Sequence, residues 1–600
     1  MFLPTTTAEL KKLKWDRPDI ILITGDAYID SPFIGVSVIG RVLTDAGFRV
    51  GVIAQPDCRN SIDICRLGEP SLFWGITGGC MDSMIANYTA TKKKRLSDDL
   101  TAGGKNNRRP DRAIIAYANL VRRYFKDTRP LVLGGVEASL RRVAHYDYWS
   151  DSIRRSILFD ARADVLVYGM AEKAVLELAK KMQTGQNIND VRGICYISPE
   201  PPSGYIELPS YEKVVKDKKS FTDMFNTFYR NNDSLTAQGL FQQHGSRFLV
   251  HNPPQPNLSI EELDKIYALD FTRDVHPFYG NQGKVKAMDT IKFSITSHRG
   301  CYGECNFCSI GLHEGKTVIS RSEKSIIAEA QKLAGLPDFK GYILDVGGST
   351  ANMYGIECLK KQSHGACKNK RCLYPQVCAN LKVDHSRQIN LLRELRKIRG
   401  IKKVFVASGI RYDLLMRDRK HCAGYLQELV RHHISGQLKV APEHVSPGIL
   451  SLMGKQQIQS LLTFRQLFEN ISCGYEPHIK RQGVKSSATR YCSNNRFSHV
   501  SSRKLQSQNK TSGQNQFLTY YFIAAHPGCT EENMHELKSF ASRELKIHPR
   551  QVQIFTPLPS TYSALMYLTE ADPFNGRKIF VEKNTERKQR QKDIVLKQHL

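Results

Sequence analysis

Short apolar runs recur along the first third of the chain. They are separated by polar turns and by stretches whose apolar residues return every three or four positions. Asp19-Ile-Ile-Leu-Ile-Thr-Gly25 reads as a strand buried on both faces, since nothing in its middle is polar. Helical spacing follows over residues 35–47, and Phe48-Arg-Val-Gly-Val-Ile-Ala54 is a second strand. Residues 72–77, 130–135 and 164–168 repeat the pattern, the last leading into a helix after Gly169-Met-Ala-Glu-Lys173. Strands alternating with helices predict an α/β fold. Its N-terminal part, residues 1–200, would be a doubly wound, Rossmann-like parallel sheet with ligands beyond the strand C-termini.

Residues 201–285 read as a connecting segment. From about residue 286 a second series of strand–helix units begins, with strands over 291–297, 342–347, 403–407, 437–440, 518–525 and 552–555. This unit is expected to run to residue 570. Residues 473–512 interrupt it with Ser, Asn, Gln, Lys and Arg and no apolar periodicity, a composition too polar to offset its own ordering entropy. They are expected to be a disordered insertion between a helix at 464–471 and a strand at 517–523. Residues 571–600 close the chain as a basic tail, with a charged, solvated helix near 582–592.

The chain carries 87 Lys and Arg against 58 Asp and Glu, a net charge of +29. Much of that excess lies in the insertion and the tail, so nucleic acid is admitted as a partner but not favoured. No apolar stretch approaches the roughly 20 residues that span a bilayer, and the first residues lack the basic and apolar regions of a secretory signal. Fifteen Cys, several at metal-ligand spacing, belong to a reducing compartment, and a cytoplasmic enzyme is expected.

The densest chemistry stands directly after the 291–297 strand. Cys301, Cys305 and Cys308 form a C-x3-C-x-F-C run in a loop opened by Gly300 and Gly303. Three thiolates on a cubane leave one iron without a protein ligand, whereas zinc asks for paired C-x2-C spacings or His partners. The run resembles the C-x3-C-x-aromatic-C of the radical SAM superfamily. That resemblance implies a [4Fe-4S] cluster whose open iron chelates S-adenosylmethionine (SAM). One electron then yields methionine and a 5′-deoxyadenosyl radical. It also implies a partial (β/α)6 barrel over 286–570 and an electron donor such as flavodoxin or ferredoxin. An alternative reading is a non-catalytic iron–sulfur protein that senses redox state or binds RNA.

Ala138-Ser-Leu-Arg-Arg-Val-Ala-His-Tyr-Asp-Tyr-Trp-Ser-Asp151, with Met81-Asp-Ser-Met84 and Arg109-Pro-Asp-Arg-Ala113, resembles the YgiQ-like radical SAM proteins over nearly the whole chain. The substrate does not follow from this. Leu133-Gly-Gly-Val-Glu137 and Tyr168-Gly-Met-Ala-Glu172 are similar to turns of cobalamin-binding domains. Asp26-Ala-Tyr28, however, lacks the histidine of the D-x-H-x-x-G cobalt-ligand motif, so the domain is expected to be a scaffold without cobalamin.

By the same resemblance Gly347, Gly348, Ser349 and Thr350 would meet the SAM amino group by backbone and hydroxyl, the usual Glu being absent. Ser408 and Arg411 would meet its ribose and carboxylate, Arg411 by a two-point pair. Glu443 and His444 stand where a Q-S-G-type turn is usual and are candidate acid or base groups. Cys358, Cys367, Cys372 and Cys378 lie close enough in sequence to close a second iron–sulfur or zinc site. The segment from His145 to Asp151 would either shape the pocket at the barrel mouth or fill a domain interface.

Overall fold

The computed structural model describes residues 1–474 and 516–597. Five parallel strands form the heart of the first unit: Ile20–Thr24, Val50–Ala54, Phe73–Thr77, Leu131–Gly134 and Val165–Val167. Numbered along the chain their spatial order is 2-1-3-4-5, so the order reverses between Ile20–Thr24 and Phe73–Thr77. A crevice forms beyond the strand C-termini at such a switch point. Ile20, Ile21 and Ile23 are fully buried, as a strand covered on both faces requires. Helix Gly35–Asp45 covers one face and Ala113–Tyr124 the other, each with its apolar stripe turned inward.

The sheet does not stop where the connecting segment was expected. Ile194–Ser198 adds antiparallel to Val165–Val167, and Arg247–His251, Leu240–His244 and Ile206–Leu208 extend the sheet to nine strands. The signal was weak because residues 201–285 alternate apolar and polar positions over very short runs.

All six strands expected after residue 286 are present. Ser294–Thr296, Asp345–Gly347, Lys403–Val404, Gln437–Glu443, Phe517–Ala524 and Val552–Ile554 lie side by side in chain order and parallel. Among the described residues nothing pairs the last strand with the first, so the barrel is partial. The insertion expected over 473–512 lies outside the described residues except for Cys473 and Gly474, which close helix Gln459–Ser472.

The two units share one core. Leu312, Leu452, Phe555, Tyr562 and Tyr567 of the second pack with Leu140, Tyr146 and Tyr148 of the first. The C-terminal helix locks this junction instead of standing in solvent. In Thr585–Leu596 the side chains of Lys588, Gln591 and Val595 are buried. Gln591 accepts from the Ala525 N–H at 2.9 Å and donates to the Cys529 carbonyl at 3.1 Å. Polar side chains can be buried at little cost when each finds such a partner, which composition alone does not reveal.

Lys588 lies between two phenol rings and donates to the hydroxyls of Tyr567 (2.8 Å) and Tyr148 (3.2 Å). Burial, then the nearby Lys92, lowers its pKa to about 8 from 10.5, with Glu582 and Asp151 opposing. Between those two pH values the folded chain binds fewer protons here than the unfolded chain. Stability should therefore rise with pH across that window and be flat in this respect below it. Lys588→Met should remove that rise, read as the difference between wild-type and variant melting temperatures at pH 7.5 and 10. Equal slopes would show that Lys588 does not titrate in the junction.

Candidate active site

Strand Ser294–Thr296 delivers the chain into an excursion whose base is closed by His298–Arg299 pairing antiparallel with Ile319–Ser320. Gly300 has φ +83° and packs so closely on Thr317 that a Cβ would sit 2.2 Å from its carbonyl oxygen. Only glycine fits there. Tyr302 is fully buried and donates to the Ile356 carbonyl. Asn306 anchors the other side of the loop: its N–H donates to the Met453 carbonyl, its amide to the Leu452 carbonyl, and its carbonyl accepts from Ser563. Cys301 and Cys305 stand between these anchors, and Cys308 follows two residues beyond Asn306.

The sulfurs have few protein partners. The Gly303 N–H lies 3.3 Å from Cys301 Sγ, and Arg411 Nη1 lies 3.5 Å from Cys305 Sγ. A Cβ on Gly303 would come within 3.2 Å of Cys301 Sγ and 3.3 Å of Arg411 Nη1, so the loop is shaped around its own thiols. Burial, then Cys305, pushes the Cys308 thiol up, so a metal bound there would have to displace its proton. Two sulfurs on one zinc lie no more than about 4.6 Å apart, twice the Zn–S bond of about 2.3 Å. Among the described residues the only group of three or more ligand atoms within 4.8 Å of one another is Asp384, Asp418 and His421. The three loop sulfurs are thus spread too widely for one zinc, and a cluster with a separate iron for each suits them.

The turn after Asp345–Gly347 faces this loop. The Gly347 carbonyl accepts from the Ser297 N–H at 2.7 Å, and a Cβ on Gly348 would sit 2.6 Å from the His298 carbonyl oxygen. Thr350 Oγ1 is 3.9 Å from Cys301 Sγ. Ser349 donates to Glu314, whose carboxylate also accepts from the Gly300 N–H. Glu314 therefore brings to this turn the carboxylate that the turn itself lacks. It was missed because it lies six residues beyond Cys308, at the end of the short helix Ile310–His313. The His298 ring bridges Ser297 and the Thr350 carbonyl, and burial lowers its pKa to about 4, so the ring is neutral.

Ser408 stands beside this turn, its N–H and hydroxyl both donating to Asp345. Arg411 is buried and spends its two-point geometry on Asp413 within the chain, through Nε and Nη2. The remaining Nη1 of its guanidinium faces Cys305. Glu443 has φ +69° and lies 4.0 Å from Lys455; burial raises its pKa, with Lys455 and then Arg411 opposing. His444 turns into the core instead, accepting from the Ser446 N–H, with Cys529 Sγ 3.7 Å from Nε2.

The sulfurs of the second cysteine group, expected to hold an iron–sulfur or zinc site, are not gathered around a single-ion position. Cys358 is buried and packs with Cys372 and Cys378 around Tyr302 and Leu373, but Cys367 is exposed. No three of these sulfurs lie within 4.8 Å of one another. Residues 145–151 fill the junction between the units: Asp147 pairs with Arg112, Tyr146 donates to Asp151, and the Tyr146 and Tyr148 rings lie against Tyr567.

A cavity of about 470 Å³ lies where the sheet's crevice meets the barrel. Thr24, Thr77 and Gly135 line it from the strand ends, and Glu314, Gly348 and Ser408 from the barrel. Arg299 pairs with Glu172 at its edge and also donates to the Tyr267 hydroxyl at 3.1 Å. This volume falls in the range of about 300–1,000 Å³ typical of small-molecule sites.

Residues 2–294 match the family model of the radical SAM N-terminal domain. A UPF0313 protein of Fusobacterium nucleatum subsp. nucleatum is 50% identical over 595 residues, 99% of this chain and 98% of that protein. A UPF0313 protein of Thermotoga maritima is 44% identical over 599 residues, again 99% and 98%. The chain belongs to the UPF0313 family of radical SAM proteins. Among solved structures it is similar to the radical S-adenosylmethionine methyltransferase TsrM from Kitasatospora setae with cobalamin and a [4Fe-4S] cluster bound. The identity is 14% and the TM-score 0.47, covering 92% of this chain and 78% of that one. It is also similar to the cobalamin-dependent S-adenosylmethionine radical enzyme OxsB with aqua-cobalamin bound, at 12% identity and TM-score 0.48, covering 94% and 57%.

Both of these neighbours hold cobalamin, which overturns the expectation of a chain without it. The physical error is identifiable. The Tyr at position 28 removes one protein ligand to cobalt, but the crevice beyond the strand ends does not depend on that side chain. Tyr28 is buried, its hydroxyl accepting from the Leu3 N–H, and Asp26 is taken up by Arg109. No helix among the described residues is long and apolar enough to cross a membrane.

Proposed function

We propose that this chain is an enzyme that holds an iron–sulfur cluster on Cys301, Cys305 and Cys308 and cleaves SAM reductively at the barrel mouth. The observation that carries the reading is the placement of three sparsely partnered thiols within reach of the Gly347–Thr350 turn, which itself lines the interdomain cavity. When bound, the cluster and SAM would supply a 5′-deoxyadenosyl radical to a substrate in that cavity. The chain's own residues bind, orient and shield. The turn's backbone and Glu314 offer acceptors to an ammonium group, as a carboxylate and carbonyls do for any N–H donor. Ser408 is fixed by Asp345 beside them. Arg411 places positive charge against the thiolates and would offset the negative charge that a reduced cluster gains. The buried Arg299–Glu172 pair fixes one edge of the cavity.

The test is anaerobic reconstitution with iron and sulfide, followed by reduction with dithionite in the presence of SAM. 5′-Deoxyadenosine should form in amounts that scale with bound iron. A protein that binds the cluster and changes colour on reduction, yet makes no 5′-deoxyadenosine, would be a redox sensor and not this enzyme.

A further inference from the structure

A second, larger cavity of about 1,710 Å³ reaches the cysteine loop at Glu304 and is lined by none of residues 347–350. Glu304, covalently joined to Cys305, and Lys316 form its inner end. Tyr229 lines the same end, with the Lys316 ammonium 3.8 Å above its ring. Burial, then Glu304, pushes the Tyr229 hydroxyl up, and the sulfurs of Cys305 and Cys308 are among the charges that reach it. The cleft therefore ends one residue from the thiols proposed to hold the cluster. It shares no lining residue with the smaller cavity that contains the Gly347 turn.

Its charges are sorted. Glu304 is paired with Lys316 and Lys361 and Asp413 with Arg411, while Asp233 and Asp572 accept from backbone N–H groups and keep their charge, so two carboxylates face four unpaired cations. Arg230, Lys368, Lys370 and Arg417 are exposed along the walls, and none has an ion-pair partner among the described residues. Phe574 is 57% exposed at the rim, with Arg371 stacked over its ring. A cavity well above the roughly 300–1,000 Å³ of small-molecule sites, with unneutralised cations and an apolar rim, suits a macromolecule with an acidic surface.

We infer that this basic cleft is the docking face for an acidic one-electron carrier protein of the flavin or iron–sulfur type. The inference rests on the proposed SAM cleavage, which consumes one electron per turnover: the carrier is oxidised by one electron and the cluster reduced by one. The geometry supplies what such transfer needs, a short covalent route from the cleft to a ligand sulfur through Glu304. The cations supply steering, which raises association rates by 10- to 1,000-fold and fades with salt. A single-stranded nucleic acid would meet the same charges. A nucleic acid, however, has no use for the covalent route from Glu304 to Cys305, whereas an electron carrier does.

The experiment compares the wild type with R230E/K368E/K370E/R417E, both reconstituted, with 5′-deoxyadenosine formation driven either by dithionite or by reduced flavodoxin. Dithionite-driven rates should agree within about twofold. Flavodoxin-driven rates should fall by about tenfold or more in the variant, and the wild-type rate should fall on adding salt. Unchanged flavodoxin-driven rates in the variant would overturn the inference. So would loss of binding to a labelled single-stranded oligonucleotide without loss of electron delivery, which would make the cleft a nucleic-acid surface. Should the variant lose its cluster, the corresponding alanine set is read in the same way, and a salt-independent wild-type rate would overturn the inference by itself. Failure of dithionite to drive cleavage in the wild type refutes the enzyme reading instead, so the two failures are distinct.

Discussion

Replacing Cys301, Cys305 and Cys308 together by alanine should lower SAM cleavage by at least about 1,000-fold and abolish the visible absorbance of reconstituted protein. The expectation follows from the chemistry, since a cubane without its thiolates has no anchor here and reductive cleavage has no electron source. The variant should nonetheless fold. The loop is fixed by Gly300 against Thr317, by Tyr302 buried under Ile356 and by the three hydrogen bonds of Asn306, none of which uses a sulfur. Trading three half-buried thiols for methyl groups removes few contacts, so the melting temperature of the metal-free protein should move by no more than a few degrees. Measured 5′-deoxyadenosine at wild-type yield in the triple variant would end the assignment. A collapse of the metal-free protein would show that the sulfurs are structural.

Much of this site was legible because its chemistry is local in sequence. The Cys spacing and the Gly347-Gly348 turn follow directly after strands whose apolar runs are unmistakable, and all six barrel strands fall where those runs stand. What escaped was everything set by distance across the fold. Glu314 reaches the Gly347 turn only because the loop folds back through Gly300, and no periodicity marks it. Arg411 has a partner two residues along the chain, Asp413, which claims the geometry expected for a ligand. The buried Lys588 and Gln591 sit in a segment whose composition reads as solvated, because composition does not register phenol hydroxyls and backbone groups waiting for a donor. The cobalamin expectation failed for the same reason: it was argued from one side chain, while a crevice is a property of the sheet. The four cysteines at 358–378 are close in sequence, yet no three of their sulfurs lie within 4.8 Å of one another, a spread that no sequence interval reveals.

Asp413→Ala should destabilise the metal-free protein by about 3–5 kcal/mol, the usual cost of removing one partner from a buried ion pair. Arg411 is buried, and without Asp413 its guanidinium would keep no carboxylate partner, with Cys305 Sγ 3.5 Å from Nη1. Burial works to lower the Arg411 pKa, but Asp413 and then the thiols hold it up, so the guanidinium stays charged and its charge needs an answer. Two further variants separate the pair's cost from its use. R411M/D413L replaces both charges by side chains of similar bulk and should recover most of the lost stability, because a matched apolar pair avoids the desolvation that an ion pair only repays. It should not recover function: with no cation beside Cys305, the cluster should become harder to reduce, and SAM cleavage should fall by about tenfold or more under limiting reductant. Cluster binding should also narrow the stability gap between wild type and Asp413→Ala, since the thiolates then face Arg411 as anions. These outcomes are read from denaturant midpoints with and without cluster and from a redox titration of the reconstituted protein. A double variant with wild-type reduction behaviour would mean that Arg411 only holds its loop in place. An Asp413→Ala protein as stable as wild type would mean that solvent reaches the pair and that the charge is not confined beside the cysteines at all.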